Sequence, residues 1–240
     1  MSSATKSALE DLLRARRLPA DAPPLRGEDR RRRPLPTGVA TVDGLLGGGF
    51  PRGQLSEVHG PVSSGRTGLV FALLAHSTGR GALAAFVDPA DRFDPASAAA
   101  GGADLTRLLW LRGPRGEGDE PWGKRLPEAF AATGTLAGSG LFEVVVLDLA
   151  GVDEAERRRL PGTTWLRLQR TVEDTPTALV LIAGGHVAQG PGGISLGLAP
   201  VGPRWSGPPG PGRLLAGLGA QVAAGRHGPR RADILLRTFA

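Results

Sequence analysis

Residues 57–76 read EVHGPVSSGRTGLVFALLAH, and within them Gly60 to Thr67 spell G-P-V-S-S-G-R-T. The phosphate-loop pattern is G-x-x-x-x-G-K-[ST], so every position fits except Arg66, which stands where the lysine belongs. Glycines in such a loop let successive backbone N–H groups converge on phosphate oxygens, and the following helix adds its positive end. Gly60, Ser63, Ser64, Gly65 and Arg66 are therefore the candidate phosphate-binding positions. Thr67 is placed to hold Mg²⁺ through its hydroxyl, and Asp148, closing a later apolar strand, is the expected second metal ligand. Arg66 carries a longer, planar, permanently charged group, which can bind phosphate but not as a compact ammonium does.

The chain around the loop alternates strand and helix. Gln54 to His59 is expected to be a short strand entering the loop, and Gly65 to Ser77 an apolar helix leaving it. Buried strands are expected over Ala82–Val87, Leu108–Leu111, Phe142–Leu147 and Ala178–Ile182, with helices near Leu126–Thr133 and Trp165–Val172. Continuous apolar strands separated by helices imply a mainly parallel sheet covered on both faces. After Gly184 the sequence turns rich in Gly and Pro, then gives strand-like pieces at Ala220–Ala224 and Ile234–Arg237, expected to form a short antiparallel edge. The fold class is α/β.

Upstream, SALEDLLRARRL (Ser7 to Leu18) sets Leu9, Leu12 and Leu13 at helical spacing behind a Ser7 cap. Pro19 ends it, and a Pro- and Arg-rich linker follows to Pro36, with Arg30 to Arg33 in a row. This divides the chain into an arm and linker, 1–34, and a main domain, 35–240. The leucine stripe cannot bury itself alone, so it must pack on the main domain or on another molecule.

Composition narrows the function classes. The chain has no cysteine, which excludes disulfides and thiolate-bound metals, and its four histidines are scattered without metal-ligand spacing. A net charge of +6 favours a polyanionic partner. Lys6 and Lys124 are the only lysines among 29 basic residues, a coding bias that accounts for an arginine at position 66 wherever either cation is tolerated. The start, MSSATKSALEDLL, lacks a secretory pattern. The longest apolar run, TALVLIA (Thr177 to Ala183), is too short to cross a bilayer. A cytoplasmic protein with no membrane partner is expected.

LPTGVATVDGLLGGGFPRGQLSEVHGPVSSGRT (Leu35 to Thr67) resembles the RecA recombinase segment that runs through its phosphate loop. FVDPADRFDP (Phe86 to Pro95) resembles the following RecA strand, and FEVVVLDLA (Phe142 to Ala150) its metal-binding strand. Within RecA-like proteins the chain is most similar to the ImuA family, once called SulA-like. GPRW (Gly202 to Trp205) and RLLAGLGAQVAAGRHG (Arg213 to Gly228) resemble that family's short C-terminal part. The resemblance implies a RecA-like parallel sheet and a nucleoid-associated accessory of the DNA-damage (SOS) response. Its partners would be RecA, an ImuB-type Y-family polymerase relative and an error-prone replicative-type polymerase.

The departures from RecA point the same way. The catalytic glutamate falls on Ala90, the adenine-stacking tyrosine on Ser97 and the coupling glutamine on Gly184. Coding bias explains Arg66 but none of these three. A non-catalytic protein is expected, with no cofactor required and only weak ATP and Mg²⁺ binding where any survives. Leu9, Leu12 and Leu13 are the partner-binding candidates, placed to imitate the arm through which RecA subunits assemble. Arg157, Arg158 and Arg159, in GVDEAERRRLPGTTW, are candidates for weak, non-specific contact with single-stranded DNA, or else form a solvated face beside Asp153, Glu154 and Glu156. The alternatives are a DNA-dependent ATPase of the RecA class, against which Ala90 counts, and a SulA-like cell-division inhibitor, which the phosphate loop with Asp148 opposes.

Overall fold

A computed structural model describes residues 3–15, 33–113, 122–188, 193–225 and 230–237. The expected linker before Arg33, with Arg30 to Arg32, and the middle of the segment after Gly184 lie outside them. In chain order the elements are α1 (Ser3–Ala15), α2 (Ala40–Leu46), β1 (Gln54–His59), α3 (Arg66–Thr78), β2 (Ala84–Asp88), α4 (Pro95–Ala100) and β3 (Leu108–Arg112). There follow α5 (Trp122–Ser139), β4 (Val144–Asp148), α6 (Glu154–Arg158), α7 (Thr163–Val172), β5 (Ala178–Ala183), β6 (Ser195–Ser206), β7 (Leu214–Ala224) and β8 (Arg230–Arg237).

The strands form one sheet of eight in the order β3-β2-β4-β5-β1-β6-β7-β8. The first six run parallel, and β7 and β8 complete an antiparallel edge. The fold class is as expected, a mostly parallel α/β sheet. Its centre is buried on both faces because successive side chains point to opposite sides. Val144, Val146, Val180 and Ile182 join one core with Leu69, Leu73 and Phe86. Val145, Leu147, Leu179 and Leu181 join the other with Phe130, Trp165 and Leu168.

Several elements differ from the sequence expectation. α1 begins at Ser3, so Ser7 lies inside the helix and is not its cap, and α2, α4 and α6 were not among the expected elements. The helix expected at Leu126–Thr133 extends over Trp122–Ser139, carrying Pro127 within it. The antiparallel edge is longer than its apolar pieces suggest, since β7 and β8 begin at Leu214 and Arg230. β6 was not expected at all, because Gly and Pro interrupt SLGLAPVGPRWS. Its pairing explains the tolerance: β6 meets β1 only over Ser195–Gly197, so Pro200 and Pro203 lie beyond the stretch where an amide must serve two neighbours.

The leucine stripe of α1 is divided between core and surface. α1 lies on the protein's own second core, where Leu13 is 3% exposed and Leu9 packs at the margin, while Leu12 remains 47% exposed. Leu9 and Leu12 border a groove of about 900 Å³ shared with Leu108, Trp110 and Leu111 of β3 and Ala129 of α5. No helix among the described residues is long and apolar enough to cross a membrane.

Candidate functional site

β1 delivers the chain to Gly60 at the carboxyl end of the sheet, and α3 leaves from Gly65. Both glycines are required sterically. A Cβ on Gly60 would lie 2.3 Å from the Leu198 carbonyl oxygen, and Gly65 has φ +88 with the Leu236 side chain against it. Ser63 also adopts a left-handed conformation, at φ 62. No side chain caps the N-terminus of α3, so its first amides remain available to an anion. Thr67 is exposed in that first turn.

Arg66 folds back on its own loop and donates through Nη1 to the Gly60 carbonyl oxygen. Burial holds its guanidinium below the usual arginine value; Asp148 opposes that shift, while Arg157 and Arg92 add to it. Asp148 closes β4 and accepts a 2.7 Å hydrogen bond from the Ala150 amide. Burial pushes its carboxyl up to about 6, with Asp88 adding to the shift and the Ala150 amide, Arg66 and Arg92 working against it.

The three arginines after β4 do not act as one cluster. Arg157 turns inward until its guanidinium lies beside Gly184, after β5. Arg158 and Arg159 stay on the exposed face and pair with Glu154 and Glu156. A cleft of about 750 Å³ thus opens between Pro61, Val62, Arg66, Ala150, Arg157 and Gly184. Four buried donor atoms in this region lack a protein partner, Ser64 Oγ, Arg66 Nε, and Nε and Nη1 of Arg157, as does one acceptor, Asp88 Oδ1. Buried polar groups are normally satisfied, so the orphaned donors fit a phosphate oxygen set, and Thr67 with Asp148 supplies the oxygen donors that Mg²⁺ takes. Arg157 was foreseen in the sequence as a DNA contact rather than as a cleft residue, and no local pattern distinguishes it from its two neighbours.

The carboxylate positions are equally definite. Ala90 faces the turn after Asp148, since a Cβ on Gly151 would lie 2.7 Å from its methyl. Asp91 points elsewhere, held by Arg112 through two hydrogen bonds of 2.7 and 2.8 Å. Asp88 is fully buried and accepts from the Phe93 amide and the Trp110 indole. Ser97 is exposed and bonded to Asp94, the N-cap of α4.

A further cluster lies beside the loop and was missed in the sequence. Glu57, inside β1, is 1% exposed. Its Oε2 accepts from the Val187 and Ala188 amides at 3.1 and 2.9 Å, and its Oε1 accepts from Ser195 Oγ at 2.6 Å and meets His186 Nδ1. Burial would raise this carboxyl, but the hydrogen bonds from Ser195, Ala188, Val187 and His186 outweigh it and hold Glu57 below its ordinary value. The signal available in the sequence was an acidic residue in the middle of a strand otherwise bound for the core.

With this geometry in view, comparison with known proteins is informative. The RecA N-terminal domain family matches residues 26–152, more than half of the chain. A protein named Protein RecA from Symbiobacterium thermophilum is 38% identical over 138 residues, covering 56% of this chain and 37% of that protein. Protein RecA of Lactobacillus acidophilus is 32% identical over 163 residues, 62% of this chain and 42% of the relative. Protein RecA of Prochlorococcus marinus is 46% identical over 83 residues, 35% and 22% respectively. The chain therefore spans less than half the length of these curated relatives.

Proposed function

Because the chain belongs to the RecA N-terminal domain family, we propose that it is a non-catalytic RecA-like accessory of the DNA-damage (SOS) response, similar to ImuA, that supports error-prone translesion synthesis. In this reading it binds RecA, the ImuB-type polymerase relative, or both, and loosens or caps RecA filaments without turning over ATP. An error-prone replicative-type polymerase completes the assembly, and any contact with single-stranded DNA is weak and non-specific.

One observation carries the reading. The residue that lies against Gly151, in the turn after Asp148, is Ala90, and a methyl group cannot polarise water. Of the neighbouring carboxylates, Asp91 is engaged by Arg112, and Asp88 is fully buried with its Oδ2 held by the Phe93 amide and the Trp110 indole. General-base help of the missing kind contributes roughly 10²–10⁴-fold. The residues that remain would position a nucleotide rather than cleave it: Gly60, Ser63, Ser64 and Gly65 through the loop, Arg66 and Arg157 through charge, and Thr67 and Asp148 through Mg²⁺, which would neutralise phosphate charge when bound.

The test is ATP hydrolysis by the purified protein and by Asp148→Ala, each with and without single-stranded DNA. The expected result is no DNA stimulation and no difference between the two proteins. A DNA-stimulated rate that disappears in Asp148→Ala would overturn the reading in favour of the second one, a RecA-class ATPase. The unpartnered Nε of Arg66 and Nε and Nη1 of Arg157 favour that second reading as far as phosphate binding, and no further.

A further inference from the structure

Glu57, His59 and His186 bring one carboxylate oxygen and two imidazole nitrogens within 4.8 Å of one another. The sequence hides this set, because the third member is 129 residues from the first. Glu57 and His59 are two apart on β1 and so share a face of the strand. β5 runs parallel to β1 in the register Glu57↔Leu181 and His59↔Ala183, so the residues that follow β5 emerge beside His59. His186 is the third of them, and its ring centroid lies 5.7 Å from that of His59.

The donor set has the character of a metal site in three respects. Glu57 is a buried carboxylate whose ion-pair partner among the described residues is an imidazole, not an arginine or lysine. Buried charges are ordinarily paired or bound to metal. Second, the carboxylate is already oriented: both backbone amides occupy Oε2, which leaves Oε1 turned toward the histidines. Outer hydrogen bonds of this kind fix metal-bound carboxylates. Third, Ser195 Oγ stands 2.6 Å from Oε1 and 3.4 Å from His186 Nδ1, a polar neighbour at the open side of the set.

We propose that Glu57, His59 and His186 form a binding site for a divalent transition cation of the Zn²⁺ class. Two imidazoles and one carboxylate suit Zn²⁺ in preference to Mg²⁺ or Ca²⁺, which take oxygen donors. Three protein ligands leave a fourth position to water. The cation ties the segment after β5 to β1 near both of its ends, at His186 and beside Ser195. Gly184, Gly185, His186 and Val187 also line the phosphate-loop cleft, so the bound cation fixes one wall of that cleft. The site is separate from Thr67 and Asp148 and independent of whether nucleotide binds.

The experiment uses tag-free full-length protein stripped with a chelator and then titrated with Zn²⁺ by calorimetry and with Co²⁺ by visible absorption. One equivalent of Zn²⁺, a rise in melting temperature, and Co²⁺ ligand-field bands of low coordination number are expected. His59→Ala and His186→Ala should each lower affinity by more than about 100-fold, and Ser195→Ala, which removes an outer contact, by about 10-fold. His186 is exposed, so its variant keeps the fold and remains interpretable if Glu57→Gln does not. His76→Ala, on α3, should bind as the parent does. Substoichiometric binding, or binding that survives both His59→Ala and His186→Ala, would overturn the site and leave a histidine–glutamate pair holding the segment by hydrogen bonds alone.

Discussion

At the scale of single residues, the motif was legible as letters, while the state of each side chain was not. The pattern from Gly60 to Thr67 identifies the loop, yet nothing in it says that Arg66 turns onto the Gly60 carbonyl oxygen or that Arg157 arrives opposite. Asp148 offers the most direct measurement. Its carboxyl is pushed from an ordinary 3.8 up to about 6, chiefly by burial. The folded protein therefore holds this proton more tightly than the unfolded chain does. Stability from this group is greatest below the unfolded value and declines as pH rises toward the folded value, so above about pH 6 the ionised carboxylate is a standing cost. That cost is on the order of 2–3 kcal/mol at most. Asp148→Asn keeps an oxygen for the Ala150 amide and removes the charge. Urea denaturation should find this variant more stable than the parent near pH 7.5 by about 1–3 kcal/mol, with the difference gone near pH 3.5. An advantage of equal size at both pH values would mean that ionisation is not its source. Saturating Mg²⁺, where it binds, should erase the advantage at the higher pH.

At the scale of elements, what the sequence disclosed followed burial. β2, β4 and β5 are covered on both faces and read as unbroken apolar runs, so their positions could be set to within two residues. β6 is half exposed and interrupted by prolines, and it stayed hidden because its pairing with β7 does not depend on apolar content. α1 was visible as a periodic stripe, but periodicity cannot say which surface receives it. The structure places Leu13 within the second core and leaves Leu12 about half exposed, so the two leucines should separate experimentally. Leu13→Ala should destabilise the protein by about 2–4 kcal/mol, as truncation of a buried leucine does. Leu12→Ala should change stability by less than about 0.5 kcal/mol. If α1 also docks on a partner such as RecA, Leu12→Ala is the variant that weakens capture without lowering the denaturation midpoint. Equal, small effects from both substitutions would mean that α1 does not rest on its own core in solution.

At the scale of the molecule, the cleft lies where a parallel α/β sheet places its ligands, beyond the carboxyl ends of the strands. His59, Asp88, Asp148 and Ala183 each end a parallel strand, so the strand ends mark the edge of the sheet where the cleft lies. The distribution of the net charge of +6 was not legible in the same way, because it depends on which arginines the fold pairs. On α6 and its flank, Glu154 and Glu156 engage the two exposed arginines, Arg158 and Arg159. The β6–β7 ribbon differs. Trp205 is 49% exposed with the Arg213 guanidinium 5.8 Å from its ring, and Arg204 is exposed beside it. Neither arginine belongs to a salt bridge found among the described residues. Exposed aromatics with unpaired arginines bind single strands by stacking and phosphate neutralisation. The dependence of affinity on salt reports how many phosphates are neutralised, with a slope of about 0.7 per contact for single strands. Fluorescence anisotropy with a labelled oligothymidylate across a salt series should therefore give weak binding whose slope falls by about 1–1.5 in Arg204→Glu/Arg213→Glu. Arg158→Glu/Arg159→Glu should leave the slope nearly unchanged, and Trp205→Ala should weaken binding at every salt concentration while preserving the slope. The reverse ranking of the two double variants would return the DNA contact to α6, where the run of arginines first suggested it.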